Sequence, residues 1–389
     1  MSDATALIPR TNNYTAAGMH TGAAETSLDG PMAAMLYVGL LDPPTNATSS
    51  IPITCPTGNC TFPTYQEGVS YSSIAMCSSV EDISHTITGN GTFYNYFLPS
   101  GAHTFESTLL STAIATALNA EDSNLFAFDA LMINVHCNSS TLEHSGECAT
   151  LPWAARSSLY PCVHTYSNAK ISASTLAEQI ILTNRIPFMN MSEGLYFSLA
   201  GNHPSIPTVD CTPSEHLTEN NTQPTSILHS GLRYVNLTHV PGASDTLWYN
   251  PLCTWEFGIG PTEALTEYLY AFYNRNYLSA PYGSPGNTVG DAWLEHLYRN
   301  GTANINTTAN YMRGLANAMT STMRQRGDAF NSDPATGTVL TNQTCIRVAW
   351  AWLALPAALL FCTFVFLATI MLQTHRYTGH SKPQGGRGP

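Results

Sequence analysis

Ten cysteines and eleven Asn-x-Ser/Thr triplets are where this sequence concentrates its chemistry. Cys55, Cys60, Cys77, Cys137, Cys148, Cys162, Cys211, Cys253 and Cys345 lie outside the long apolar run near the C-terminus, and Cys362 lies within it. Nine cannot all pair within one chain, so at least one sulfur stays free or joins another molecule. Cys55 and Cys60 enclose Pro56-Thr57-Gly58-Asn59, where Gly58 suits a tight turn; they pair with each other or with distant partners, since spacing does not fix connectivity. A zinc site on Cys55, Cys60, Cys77 and His85 is the sharper alternative. No second compact Cys/His pair follows, and an oxidising compartment favours disulfides.

The triplets begin at Asn13, Asn46, Asn59, Asn90, Asn138, Asn190, Asn220, Asn236, Asn300, Asn306 and Asn342, each an N-glycan acceptor in a secreted context. Catalytic patterns are missing. Leu294-Glu295-His296 lacks the second histidine of a zinc protease, and no nucleophile elbow, phosphate loop or dinucleotide fingerprint occurs. Tyr282-Gly283-Ser284-Pro285-Gly286 reads as turns. Glu121 with Asp122, or Glu263 with Glu267, could serve a glycosidase, although neighbouring acids more often form a solvated face. His136 and His164 flank cysteines and read as structural. Trp153, Trp248 and Trp255 could line a carbohydrate platform, but beside cysteines a core role is commoner. The sequence therefore nominates no catalytic, cofactor or metal residue.

These residues have to be positioned by something, and charge and hydropathy say where. Between Arg347 and His375 run 27 uncharged residues. At about 1.5 Å per residue they exceed a hydrocarbon core of about 30 Å, with Trp350 and Trp352 at one interface. His375, Arg376, Lys382 and Arg387 follow with no acid, which puts the tail in the cytoplasm and residues 1–346 outside or in the lumen. The net charge of −12 divides into −16 before position 347 and +4 from Arg347 onward. All eleven triplets lie on the acidic side. With only two lysines, no basic cluster exists to meet a nucleic-acid backbone. Charged residues are 10% of the chain against about 25% in typical domains, a deficit that attached glycans would offset.

The elements predicted are an irregular segment 1–50 holding one short helix (Pro31–Leu41) that docks on the ectodomain, a Cys-rich glycosylated ectodomain 51–346, a transmembrane helix 347–374 and a basic tail 375–389. Helical spacing appears at Phe105–Asn119, Ser174–Thr183, Thr262–Leu278 and Asp291–Arg326, the last broken at Asn300-Gly301. Strand patterns appear at Leu131–Cys137, Glu193–Leu199, Ser226–Val240 and Leu247–Ile259. The fold class expected is α+β, a disulfide-containing ectodomain followed by a single C-terminal transmembrane helix. The first residues carry neither a basic nor an apolar signal region, so the expectation is that upstream residues are missing from this chain or that its start is misassigned.

CPTGNCTFPTY from Cys55, YSSIAMCSSVEDIS from Tyr71, LYPCVHTY from Leu159, CTWEFG from Cys253, GLANAMTSTMR from Gly314 and VAWAWLALPAALL together resemble an uncharacterised family of fungal integral-membrane proteins. The likeness spans most of residues 7–375, and TGNCTF is its most specific part. It implies N-terminal membrane helices, a Cys-rich glycosylated ectodomain and one further helix near the C-terminus. It adds no catalytic residue. The chain departs from the family at Ser78-Ser79-Val80 and Arg156-Ser157-Ser158, where further cysteines are usual, which fits the odd count.

Two functions follow as expectations. One is a non-enzymatic membrane glycoprotein of the cell surface or secretory pathway, meeting the lipid bilayer and an unknown lumenal or extracellular ligand, with no cofactor and no nucleic acid. The other is a membrane-tethered hydrolase acting through paired carboxylates.

Overall fold

One 24-residue strand, Ala149–Ser172, is several times the usual strand length, and the fold is organised around it. In the computed structural model the described residues are 5–14, 28–45, 51–65, 68–90, 95–105, 110–119, 124–136, 149–191, 194–200, 233–236, 246–249, 254–281, 288–327, 333–341 and 351–378. Along one edge the long strand pairs first with Phe126–His136 and then with Thr175–Arg185. Its other edge takes Val69–Asp82 and then Cys60–Thr61. Leu110–Leu118 and Tyr277–Pro281 extend the sheet beyond Phe126–His136. Ala335–Val339 and Thr5–Ile8 extend it beyond Cys60–Thr61, completing nine antiparallel strands.

The α+β class is as expected, but several local expectations are corrected. Phe105–Asn119 carries a strand, Leu110–Leu118, and not a helix. Thr112, Ala113, Ile114, Ala115, Thr116 and Ala117 are all buried, so both faces of this strand are covered. A strand buried on both sides loses the polar alternation that separates it from a helix. Ser174–Thr183 likewise forms the strand Thr175–Arg185. Ala173 and Ser174, at φ 49° and 61°, make a two-residue hairpin turn that sends the chain back along Ala149–Ser172. The segment 1–50 is not irregular outside its helix, because Thr5–Ile8 joins the main sheet and Asn13–Tyr14 runs parallel to Glu256–Phe257. Leu247–Ile259 divides into Thr246–Tyr249 and Thr254–Phe257, and of Ser226–Val240 the described part is the strand Arg233–Asn236.

The helices fall nearer to expectation, although the helix expected over Thr262–Leu278 ends at Tyr273, and Tyr277 and Leu278 begin the strand Tyr277–Pro281. They are α1 (Gly30–Leu41), α2 (Ile259–Tyr273), α3 (Ala292–Tyr298), α4 (Ile305–Arg326) and α5 (Ala351–Thr378). Tyr311, Met312, Leu315, Ala316, Met319 and Met323 recur at helical spacing and bury one face of α4 in the main core. Met32, Leu36 and Leu40 seat α1 in the same core. Thus the short apolar helix docks on the folded unit that holds the main sheet, as its apolar face predicts.

A Cβ at Gly314 would lie 2.3 Å from the Pro43 Cβ, so the chain leaving α1 runs directly against α4. Gly314→Ala gains about 1 kcal/mol of helix propensity but forces an overpacked contact costing about 1–3 kcal/mol. A net loss of stability in urea unfolding is expected, and a more stable variant would contradict this packing.

Residues 341–389 form a separate unit. Within it Leu353–Arg376 is 24 residues long with mean hydropathy 2.4, and none of its most apolar window is buried. It is long and apolar enough to cross a membrane.

Candidate functional site

Helix α4 begins with a reciprocal cap: Asn304 accepts from the backbone N–H groups of Asn306 and Thr307, and the Thr307 hydroxyl accepts from the Asn304 N–H. This fixes the turn between α3 and α4, where Arg299 and Asn300 hold φ of 50° and 55° and Gly301 follows at 81°. The broken helical pattern at Asn300-Gly301 is this turn. Beside it opens a cleft of about 390 Å³ whose polar wall includes His296, Arg299, Asn310 and Arg313, with Pro43 and Tyr311 among its apolar residues.

The cleft lining holds two guanidinium groups and an imidazole but no carboxylate. The Arg313 Nη1 donates to Asn310 Oδ1 at 2.8 Å, while the Arg299 guanidinium has no protein partner among the described residues. Where residues 1–346 carry a net charge of −16, this local surplus of donors is suited to a carboxylate, sulfate or phosphate group. Among the described residues no hydrogen bond joins a hydroxyl of the lining to His296.

A second polar cluster is buried and self-satisfied. Arg324, on the last turn of α4, donates through Nη1 to Glu178 Oε1 at 2.6 Å, through Nη2 to the Tyr71 hydroxyl at 2.6 Å and through Nε to the Pro9 carbonyl at 3.1 Å. Tyr71 in turn donates to Glu178. The guanidinium carbon lies 4.9 Å from the Tyr166 ring centroid and 5.5 Å from that of Tyr71. Burial pushes the Tyr71 phenol up and that of Tyr166 to about 12, so both stay neutral donors. No open solvent path is needed by such a set, and its arrangement braces α4 against the sheet.

Next to it lie Cys77, Cys162 and His164, whose ligand atoms fall within 4.8 Å of one another. The two sulfurs are joined as a disulfide, and His164 Nε2 sits 3.3 Å from the Cys77 sulfur. Cys55 and Cys60 are also joined to each other. The zinc set of Cys55, Cys60, Cys77 and His85 is therefore not assembled, because all three of its sulfurs are consumed in disulfides. Cys362 in α5 is a free thiol. Cys137, Cys148, Cys211, Cys253 and Cys345 lie outside the described residues.

Burial, with a smaller contribution from the Arg324 charge, lowers the His164 pKa from 6.5 to about 4. The folded protein resists protonating this ring more than the unfolded chain does. Its contribution to stability is complete above pH 6.5 and is lost as pH falls toward 4. Urea titrations at pH 7 and pH 4.5 should show this loss, and His164→Asn should flatten it; an unchanged slope in the variant would contradict the assignment.

Of the glycan acceptors, Asn59, Asn300 and Asn306 are exposed. Asn13 is buried at 2% exposure, so the fold leaves no room for a sugar there. Asn46, Asn138, Asn220 and Asn342 lie outside the described residues, and Asn90, Asn190 and Asn236 stand in strands. Glu263 and Glu267 are both exposed on α2, as a solvated face predicts, and Glu121 and Asp122 lie outside the described residues. Trp255 is buried with Tyr14 and Phe257 in the main core, and Trp153 is partly buried against that core with its indole donating to Asp82, so neither stands as an open platform. His296 stood out in the sequence only for a motif it fails to complete, while Arg299 and Arg313 carried no motif. Their one signal was scarcity, two of the fourteen lysines and arginines flanking a turn and a capped helix. No family model matches the chain, and neither a curated protein nor a solved structure is significantly similar to it.

Proposed function

We propose that the chain is a single-pass membrane glycoprotein whose ectodomain binds an anionic ligand without transforming it. The observation that carries this reading is the cleft beside α4, where Arg299, Arg313 and His296 converge and no carboxylate or activated nucleophile faces them. The exposed apolar helix Leu353–Arg376 supports a membrane anchor, and the basic residues after it support a cytoplasmic tail. Exposed acceptors at Asn59, Asn300 and Asn306 support a lumenal or extracellular ectodomain, as does the resemblance to the fungal membrane family. The solvated placement of Glu263 and Glu267 gives the hydrolase reading no support.

Two measurements test the proposal. Endoglycosidase treatment of the membrane-expressed chain should lower its mass by several glycans, and an unchanged mass would overturn the topology. Titration of the solubilised full chain with inorganic sulfate and with citrate should give saturable binding to at least one of them. Arg299→Gln with Arg313→Gln should weaken it more than tenfold, since each charge-assisted hydrogen bond is worth about 1.5–3 kcal/mol. Equal binding by the variant, or none of either anion by the native chain, would overturn the cleft.

A further inference from the structure

A row of aromatic rings stands uncovered on the small sheet formed by Thr88–Asn90, Asn95–Phe97 and His103–Thr104. Tyr96 packs with the buried cluster of Ile83, Leu98, Ala102 and Leu131, which marks its face of the sheet as the inner one. Phe97 and His103 are opposed in register on the other face, with ring centroids 6.0 Å apart and nearly parallel planes. Phe105 continues the row at 6.4 Å from His103, and Tyr277 lies 6.3 Å beyond it. Phe97 is 48% exposed, Phe105 40% and Tyr277 57%, a costly arrangement for apolar rings unless something covers them.

The sheet itself names a cover. Asn90 opens the acceptor triplet Asn90-Gly91-Thr92, and it pairs with Asn95 in the ladder that pairs Thr88 with Phe97. Positions two apart on a strand share a face, so position 90 belongs to the face of Phe97 and His103. Register neighbours of this kind lie within about 7–8 Å, inside the reach of the first sugars of an N-glycan. The C–H faces of N-acetylglucosamine are apolar and stack on aromatic rings, while its hydroxyl and amide groups remain in water. A groove of about 280 Å³ continues from His103 and Phe105 toward Arg275, whose guanidinium donors suit sugar oxygens.

We propose that the glycan carried by Asn90 folds back over Phe97, His103 and Phe105, making this row the seat of the chain's own sugar. The inference rests on the lumenal placement of the ectodomain proposed above. Glycopeptide mass spectrometry of the membrane-expressed chain, followed by hydroxyl-radical footprinting of the native chain and of Thr92→Ala, tests it; Asn90→Gln serves as a second variant lacking the sugar. Asn90 should be occupied, and loss of its sugar should raise labelling of Phe97 and Phe105 at least twofold while buried Phe128 is unchanged. An empty Asn90 with sugar at Asn59 or Asn306 overturns the proposal and leaves the topology standing. Sugar at none of these positions overturns both. An occupied Asn90 whose removal leaves the labelling of Phe97 and Phe105 unaltered shows that the row is open to another partner and overturns the proposal alone.

Discussion

Replacing Arg324 with methionine should lower the unfolding free energy by about 3–5 kcal/mol, the cost of leaving a buried charge without its partner. Glu178 would keep only the Tyr71 hydroxyl, in a position where its side chain is 2% exposed. The Pro9 carbonyl would lose its donor as well, loosening the N-terminal strand from α4. Arg324→Met combined with Glu178→Leu removes both charges, and most of the loss should then be recovered, because a buried ion pair and an apolar pair of similar volume are often near equal. Urea unfolding of the single and double variants checks both halves. A single variant within about 1 kcal/mol of the native chain would mean that solvent reaches the cluster.

The second large effect is expected at Cys77–Cys162. This disulfide joins residues 85 apart in sequence, whereas Cys55–Cys60 joins residues only 5 apart. On the loop-entropy account the first stabilises by about 4–5 kcal/mol and the second by about 2. Cys77 and Cys162 are also buried between strands, so Cys77→Ala with Cys162→Ala adds the loss of packed sulfur to the entropy gained by the unfolded chain. The double variant should melt well below Cys55→Ala with Cys60→Ala when both are expressed in an oxidising compartment. Equal melting temperatures would show that the sheet, and not the cross-link, sets the register of Val69–Asp82 on Ala149–Ser172.

Features carried by local chemistry were legible in the sequence. The apolar length after Arg347, the turn-forming residues between Cys55 and Cys60, the break at Asn300-Gly301 and the helical character of Pro31–Leu41 depend on neighbours a few residues away. Leu110–Leu118 and Thr175–Arg185 misled for a different reason. One is covered on both faces and the other is held by a hairpin turn at Ala173 and Ser174, neither of which carries a glycine or asparagine to announce itself. The candidate cleft was illegible because Pro43, Arg299 and Arg313 are assembled by the packing of α1, α3 and α4. Arg324 had a signal that could have been used, since it falls four residues after Thr320 on the inward face of α4, where an unpaired cation could not remain.

The pairing of Thr5–Ile8 with Ala335–Val339 has a consequence measured in time. About 330 residues separate the two partners, and at ~5–20 residues per second of synthesis the first strand waits roughly 15–65 s for the second. Meanwhile the edge formed by Cys60–Thr61 is also open, because Ala335–Val339 lies between them. Leu353–Arg376 begins 14 residues after that strand ends at Val339. The last seam of the main sheet thus closes shortly before the apolar helix is made, so both strand edges stay open to other chains until almost all of the folded unit has been synthesised.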